Sequence, residues 1–355
     1  MRKTLRSSYK RSRKAVIRRS PKYYTKEDIF ISRMASILMV PRHRIISIFS
    51  QRAKTTIRLN GLKGNPKETY KLLKARGYIL TPIPWAANVY FIENRDKAEI
   101  SQIEEYKNGL FYIQDLSSIL ATLVLDPKEQ ENILDMCAAP GSKTTHIADI
   151  TRNKAKIIAN ELEVNRTNSL RNVVEQFGAD NVKITLSDGR DFGRKYPEYF
   201  DKVLLDAPCS GEGRVYMNSS NPLRFWSIKK VKSSAYIQKE LIDSAFRTLK
   251  TNGTLIYSTC TLEPEENEGV ITYLLEKYKN AEIENIDIIN SKEFEDYKKH
   301  ITEGITHWSG NQYNTSVKKC IRVLPSSEMM ASLLQRLRKY KLLFFAIPFL
   351  GLFNT

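Results

Sequence analysis

Cysteine is scarce and scattered, with four thiols in 355 residues at Cys137, Cys209, Cys260 and Cys320. No two of them form a close C-x-x-C pair, and their density is far below that of a secreted disulfide scaffold, so neither a zinc ribbon nor a stapled mini-fold is expected. Reduced thiols in a cytoplasmic protein fit better. Histidine is equally rare, and His43, His146, His300 and His307 show no catalytic or metal-binding spacing; no metal is expected. No run reaches the roughly 18 to 20 apolar residues that span a bilayer. The best candidate, Leu342 to Phe353, is too short, and the N-terminus lacks the apolar stretch of a secretory signal. No membrane partner is therefore expected. Acid is also in deficit: 39 Asp and Glu stand against 57 Lys and Arg, a net charge of +18. Such an excess favours polyanions, because each Lys or Arg that neutralises a phosphate releases a condensed counterion. Nucleic acid is the first partner to expect.

The length suits two domains with a sizeable core. Residues 1–22 carry ten Lys or Arg and no acid, which predicts a basic disordered tail. Residues 23–108 read as an N-terminal α+β module that positions RNA. In it, apolar residues from Ile29 to Ile48 suggest two helices broken at Pro41, followed by short strands at Thr56 to Leu59, Tyr78 to Leu80 and Val89 to Ile92, with a helix from Pro66 to Lys74. Residues 109–330 change character. Apolar runs at Ile133 to Met136, Ile157 to Ile158, Val182 to Leu186, Val203 to Leu205 and Leu255 to Tyr257 are separated by helix-length stretches. That alternation predicts an α/β fold with a doubly wound, mostly parallel sheet.

Each apolar run ends on a polar residue: Asp135 with Cys137, Glu161, Asp188, Asp206 with Cys209, and Cys260. Parallel strands carry these positions to one edge, where doubly wound sheets bind their ligands. A lone Asp would be read as a helix cap, but a converging set normally serves a ligand. The turn from Asp135 to Lys143 is rich in small residues yet is neither a P-loop nor the dinucleotide fingerprint. Glu161 is placed to hold ribose hydroxyls and Asp188 to reach an adenine edge, which together suggest an adenosine cofactor other than NAD.

Either Cys209 or Cys260 alone would be read as a small buried hydrophobe. Two thiols beyond plausibly adjacent strand ends invite a chemical reading. Carbon 5 of a pyrimidine is a poor nucleophile, but thiolate attack on carbon 6 makes the ring an enamine whose carbon 5 accepts a methyl group. Asp206 lies close enough in sequence to stabilise charge at ring nitrogen 3.

These residues carry a resemblance. The chain resembles the RNA cytosine-5 methyltransferases of the Nop/Sun family, the bacterial Fmu-type and RsmB/RsmF-like enzymes, from about Thr56 to Met330. The matching segments are Ile57-Arg58-Leu59-Asn60, Gln114-Asp115-Leu116-Ser117-Ser118, Asp135 to Thr144, Asp206 to Gly213 and Tyr257 to Glu268. The resemblance implies a class I, Rossmann-like methyltransferase domain with S-adenosylmethionine held by Cys137, Ala138, Ala139, Pro140, Gly141, Ser142, Lys143, Glu161, Asp188 and Asp206. It implies that Cys260 attacks carbon 6, that Cys209 assists product release, that Asp206 serves the base and that Lys143 assists. A DNA cytosine-5 methyltransferase is the nearest rival, with the Pro-Cys thiol as nucleophile; the second thiol at Cys260 favours RNA. A nonenzymatic RNA-binding protein that kept the fold is the other reading. A compact monomer acting on transfer RNA rather than ribosomal RNA is expected.

Two departures fall inside the motifs, Ser142 for a second glycine and Glu212 for a small residue. Neither removes a reactive group. A third lies at the C-terminus, where the family usually ends in a Gly-Phe-Phe-Ile-Ala-Lys strand and this chain reads Ala331 to Tyr340. A back-translation of that segment, read in another frame, yields the family ending. Residues 331–355 are therefore expected to be an atypical tail, frameshifted in preference to a natural C-terminal helix, with the terminal edge strand lost and activity reduced.

Overall fold

A computed structural model describes residues 24–341, so the basic tail and the apolar run Leu342 to Phe353 lie outside the described residues. The chain enters through two helices. Thr25 caps Lys26–Leu38 in a reciprocal box with Asp28, and Pro41 precedes Arg42–Ile48 because it fixes the backbone angle and needs no amide partner. Phe30, Met34, Ile37 and Ile45 pack with Phe49 against Leu223, Trp226, Leu262 and Ala331. The two helices thus pack on residues of the larger, C-terminal part of the chain.

The small sheet consists of β1 (Thr55–Leu59), β2 (Leu80–Pro82), β3 (Val89–Ile92) and β4 (Phe111–Ile113), in the order β2-β3-β1-β4 and antiparallel throughout. Helix Pro66–Ala75, capped by Asn65, lays Leu73 on its core of Ile57, Leu59 and Phe111. Because β4 pairs with β1, the module extends past residue 108. Arg58, 2% exposed, fastens this sheet to the next domain through Asp149 at 2.9 Å, Gln114 at 3.1 Å and Thr145 at 3.2 Å.

The large sheet begins with β5 (Asn132–Asp135), β6 (Lys156–Glu161), β7 (Val182–Leu186), β8 (Phe200–Asp206) and β9 (Leu249–Thr259). They run parallel in the order β7-β6-β5-β8-β9, at the five places the apolar runs predict. Helices Ser142–Ile150, Val164–Gln176 and Ile228–Thr248 connect them. One apolar layer, with Leu204 and Ile256, packs under Ile119, Leu120 and Ile147; the other, with Val203 and Leu255, packs under Leu241, Phe246 and Ile271. The α/β, doubly wound, mostly parallel architecture with an N-terminal domain is what the alternation implies.

The remaining strands are β10 (Ala281–Glu284), β11 (Ile301–Glu303), the hairpin β12 (His307–Trp308) and β13 (Asn311–Gln312), β14 (Ile321–Val323) and β15 (Ser332–Lys339). Here the expectation of a lost terminal strand is corrected. β15 runs antiparallel to β9, with Leu333 opposite Thr259 and Arg338 opposite Thr254, and lies inside the sheet between β9 and β14. Ladder hydrogen bonds need only backbone, and the period-two pattern still delivers Leu333 and Leu337 to one core layer and Leu334 to the other. Burial of each leucine contributes about 1.5 to 3 kcal/mol. Two of the charged residues on this strand are firmly partnered: Arg336 with Glu284 at 2.7 Å, and Lys339 with the Leu249 carbonyl at 2.8 Å and Glu198 at 2.9 Å.

Candidate active site

The strand order reverses at the β5/β8 boundary, the topological switch point where doubly wound sheets open a crevice. A cavity of about 260 Å³ sits there. Its walls include Asp135, Cys137, Ala138, Ala139, Pro140, Ser142, Lys143, Asp206, Arg214 and Cys260, with Met330, Ser332 and Leu333 of the C-terminal segment closing one side. Larger hollows lie elsewhere, around Glu282 to Ile288 and Lys319, away from these residues.

The turn after β5 is shaped by Gly141, whose φ is 112° and whose absent Cβ would stand 2.9 Å from Val173 and 3.0 Å from Leu170. Only glycine lets that turn close on helix Val164–Gln176. Asp135 is 1% exposed; one carboxylate oxygen accepts from the Thr144 hydroxyl at 2.7 Å and the other has no hydrogen-bond partner. Burial pushes its pKa up to about 7. Burial, with Glu161 and Asp135 nearby, also pushes the Cys137 thiol well up, so it stays neutral.

Lys143 reaches across the crevice. Its ammonium donates to Asp206 at 2.6 Å and to the Ser118 hydroxyl at 3.3 Å. Burial works against the charge, but Asp206 outweighs it and the Lys143 pKa is raised. The other Asp206 oxygen accepts from the Ser258 hydroxyl at 2.9 Å. Ser118 and Ser258 belong to the quoted motifs, yet sequence reasoning gave neither a role.

The two thiols meet. Cys209 Sγ and Cys260 Sγ are 3.1 Å apart, and both cysteines are free. A hydrogen bond from Cys209 lowers the Cys260 pKa despite burial, and the charge of Arg214 adds to the effect. That same hydrogen bond, then burial, holds Cys209 well above the ordinary thiol value. The two shifts run in opposite directions, so of the pair Cys260 is the thiol favoured to give up its proton. Gly213 makes this closeness possible: its amide donates to the Cys260 carbonyl at 2.9 Å, and a Cβ there would stand 2.3 Å from the Ala331 carbonyl oxygen.

Glu161 and Asp188 do not line the cavity. Glu161, 4% exposed, accepts from the amides of Leu162 at 2.9 Å and Glu163 at 3.2 Å, while its second oxygen has no hydrogen-bond partner and lies 3.4 Å from Arg166. Asp188 is gripped by Arg190, at 2.6 Å at the closest, which also bonds Glu240 at 2.9 Å. That grip holds the Asp188 carboxyl below its usual range. Sequence reasoning missed Arg214 and a buried network behind the thiols. There the Ser210 hydroxyl donates to Glu212 at 2.8 Å and also contacts Glu266, while the Ser210 amide donates to Glu266 at 3.0 Å. Two acids in Glu266-Asn267-Glu268, so close to a core strand, were the available signal. Among the described residues no group of three or more His, Cys, Asp or Glu could hold a metal ion, and no helix is long and apolar enough to cross a membrane.

The strand order, the antiparallel β15 and the crevice at the switch point define the Rossmann-like fold of the S-adenosylmethionine-dependent methyltransferases. The methyltransferase homologue from Pyrococcus horikoshii superimposes with a TM-score of 0.74 at 29% identity, over 89% of this chain and 96% of its own. NSun6 from the same organism shares the fold, with a TM-score of 0.70 at 23% identity over 90% and 98% of the two chains. The chain belongs to the 16S rRNA methyltransferase RsmB/F family, which matches residues 122–333, and residues 27–116 match the N-terminal domain of 16S rRNA methyltransferase RsmF. Ribosomal RNA small subunit methyltransferase F of Escherichia coli is 44% identical over 232 residues, 64% of this chain and 48% of that protein. The chain therefore spans about half the length of those relatives. The tRNA (cytosine(49)-C(5))-methyltransferase of Pyrococcus abyssi is 40% identical over 287 residues, 81% of this chain and 88% of that protein.

Proposed function

We propose that the protein methylates carbon 5 of a cytidine in RNA, using S-adenosylmethionine and a transient covalent bond from Cys260 to carbon 6. The observation that carries this reading is the pair of free thiols, 3.1 Å apart, in the crevice that also holds the Lys143–Asp206 pair. The cofactor would be held by residues 137–143, Glu161, Asp188 and Asp206. The crevice suits it at one point: Asp135, in its wall, keeps a buried carboxylate oxygen without a hydrogen-bond partner, ready for an ammonium or hydroxyl donor. When bound, S-adenosylmethionine supplies an electrophilic methyl group.

The chain's own residues do the rest. The Cys260 thiolate adds to carbon 6, the ring's electron pair shifts toward carbon 5 and nitrogen 3, and the Lys143–Asp206 pair stabilises the charge at nitrogen 3. After methylation a base removes the proton on carbon 5, the C5–H electrons restore the ring double bond, and Cys260 leaves as thiolate. Cys209, beside that sulfur, assists the departure. The target must leave its stack to enter the crevice. The Cys260 pKa, lowered by Cys209 and Arg214 while that of Cys209 is raised, supports this order over the DNA-type alternative, in which Cys209 would attack. Transfer RNA is placed ahead of ribosomal RNA, supported by the relative aligned over most of its length.

Expression of Cys209→Ser in cells, followed by a denaturing gel with and without ribonuclease, tests the reading. A ribonuclease-sensitive shifted band that disappears when Cys260→Ser is added is the expected result, and sequencing the trapped RNA identifies the substrate. Absence of the band, with wild-type protein leaving no 5-methylcytidine in total RNA, overturns it.

A further inference from the structure

The acid-free segment that follows the thiol loop is not used by the chemistry above. From Gly213 to Lys239 the chain holds Arg214, Arg224, Lys229, Lys230, Lys232 and Lys239 without one Asp or Glu. Four aromatics interleave with them, of which Trp226 is buried. Tyr216 lies under the Arg52 guanidinium at 4.6 Å, Phe225 is 73% exposed with the Arg224 guanidinium 4.1 Å from its ring centre, and Tyr236 is 65% exposed. Phe225 is no dangling side chain. Its neighbours Leu223 and Trp226 are 5% and 2% exposed, Trp226 packs edge-on against Phe30 at 5.1 Å, and Lys26 donates to the Leu223 carbonyl. The backbone is anchored on both sides of an apolar ring that faces water and carries no polar atom of its own.

The segment leaves the active site directly, because Arg214 lines the cavity with Cys260 and the Gly213 amide is bonded to the Cys260 carbonyl. We propose that it receives the single-stranded RNA flanking the target base, with Phe225 and Arg224 forming a stacking platform for one unpaired nucleotide. The proposal rests on the RNA reading above. Every base has a π-face, so an anchored phenyl ring offers stacking without demanding a sequence, and the guanidinium adds attraction for both the ring and a nearby phosphate. No acid within the segment itself opposes that phosphate.

The test uses the full chain and a short single-stranded RNA carrying 2-aminopurine, whose fluorescence falls on stacking. Phe225→Ala should bind about ten-fold more weakly and lose the quench, as expected for one stacked base, while Phe225→Trp restores both. Arg224→Gln should lower the slope of log affinity against log salt by about one. Binding of the cofactor alone should not change, and with methylatable RNA the loss in Phe225→Ala should appear in KM rather than kcat. Unchanged binding and quench in Phe225→Ala would overturn the platform even where wild-type protein methylates RNA. A wild type that forms the Cys260 adduct but does not quench the probe would overturn it equally.

Discussion

Replacing Glu266 with glutamine should flatten the dependence of stability on alkaline pH. Glu266 is fully buried behind the thiols; one oxygen accepts from the Ser210 amide at 3.0 Å and from Gln238 at 2.8 Å, and the other contacts the Ser210 hydroxyl that Glu212 shares. Burial first, and the Glu212 carboxylate second, push its pKa from 4.5 to about 9. The folded chain therefore keeps a proton that the unfolded chain gives up above its ordinary value. Unfolding releases that proton throughout the interval, so stability falls as pH rises and levels off only above the folded pKa. One proton corresponds to a slope of about 1.4 kcal/mol per pH unit. Asp135 and Glu263, both raised to about 7, add their own slopes at lower pH. Across the window from about pH 7.5 to 8.5 the other shifted groups are common to both proteins, so the difference between them reads Glu266, and the variant should lose about 1 kcal/mol less than wild type. Glutamine retains the acceptor for Ser210 and Gln238 and presents an amide in place of the acid proton. Urea unfolding at several pH values reads the difference directly. Parallel curves for the two proteins would show that the carboxylate is already ionised in the folded state, and would refute the argument.

Lys143→Met should cut methyl transfer by about 100- to 10,000-fold, since it removes the proton-bearing partner of Asp206; a rate within a few-fold of wild type in single-turnover assays would contradict that role. Cys209→Ala removes the donor to the Cys260 sulfur, so the pKa of Cys260 should rise; the pH profile of iodoacetamide labelling at Cys260 should move to higher pH, and an unmoved profile would deny that effect. Arg58→Met leaves Asp149 without its buried guanidinium and should cost about 3 to 5 kcal/mol in urea unfolding. Gln335→Leu replaces a fully buried amide whose oxygen has no partner, and should stabilise the protein by about 1 kcal/mol, read as a higher urea midpoint with unchanged slope.

The parallel strands were legible because their apolar runs are separated by helix-length segments, and Asp135, Asp206, Cys209 and Cys260 stood out because each ends a run. Strand ends converge by topology alone, so the crevice could be anticipated without coordinates. The docking of the first two helices was not legible. Their apolar spacing shows that a face is buried, but not that Leu223, Trp226 and Leu262 bury it. β4 escaped notice because three residues, Phe111 to Ile113, are too few to establish a period. The engagement of Asp188 by Arg190 depends on a 3₁₀ turn that brings residues two apart onto one carboxylate, a geometry that strand-end logic does not contain. Arg214 was invisible for a related reason: its relevance comes from the close packing that Gly213 permits.

β15 was misjudged because Ala331 to Tyr340 does not read like the family's terminal strand, although a ladder needs only backbone and the right alternation, and the consequences reach the nucleophile. Leu333 pairs with Thr259, the residue before Cys260, and the Ala331 carbonyl fills the space that Gly213 leaves open. The position of the reactive sulfur therefore depends on the start of the same strand whose middle carries the buried amide. Favourable and unfavourable terms sit in sequence along it: Leu333 and Leu334 bury its start, Gln335 leaves a side-chain oxygen without a partner while its amide nitrogen donates to the Arg336 carbonyl, and the Glu284 and Leu249 contacts of Arg336 and Lys339 hold the far end. A strand secured at both ends can tolerate one poorly satisfied position, because fraying must begin at a terminus and both termini are tied down. The register at Thr259, and with it the approach of Cys260 to Cys209, is thus protected by side chains remote from the chemistry.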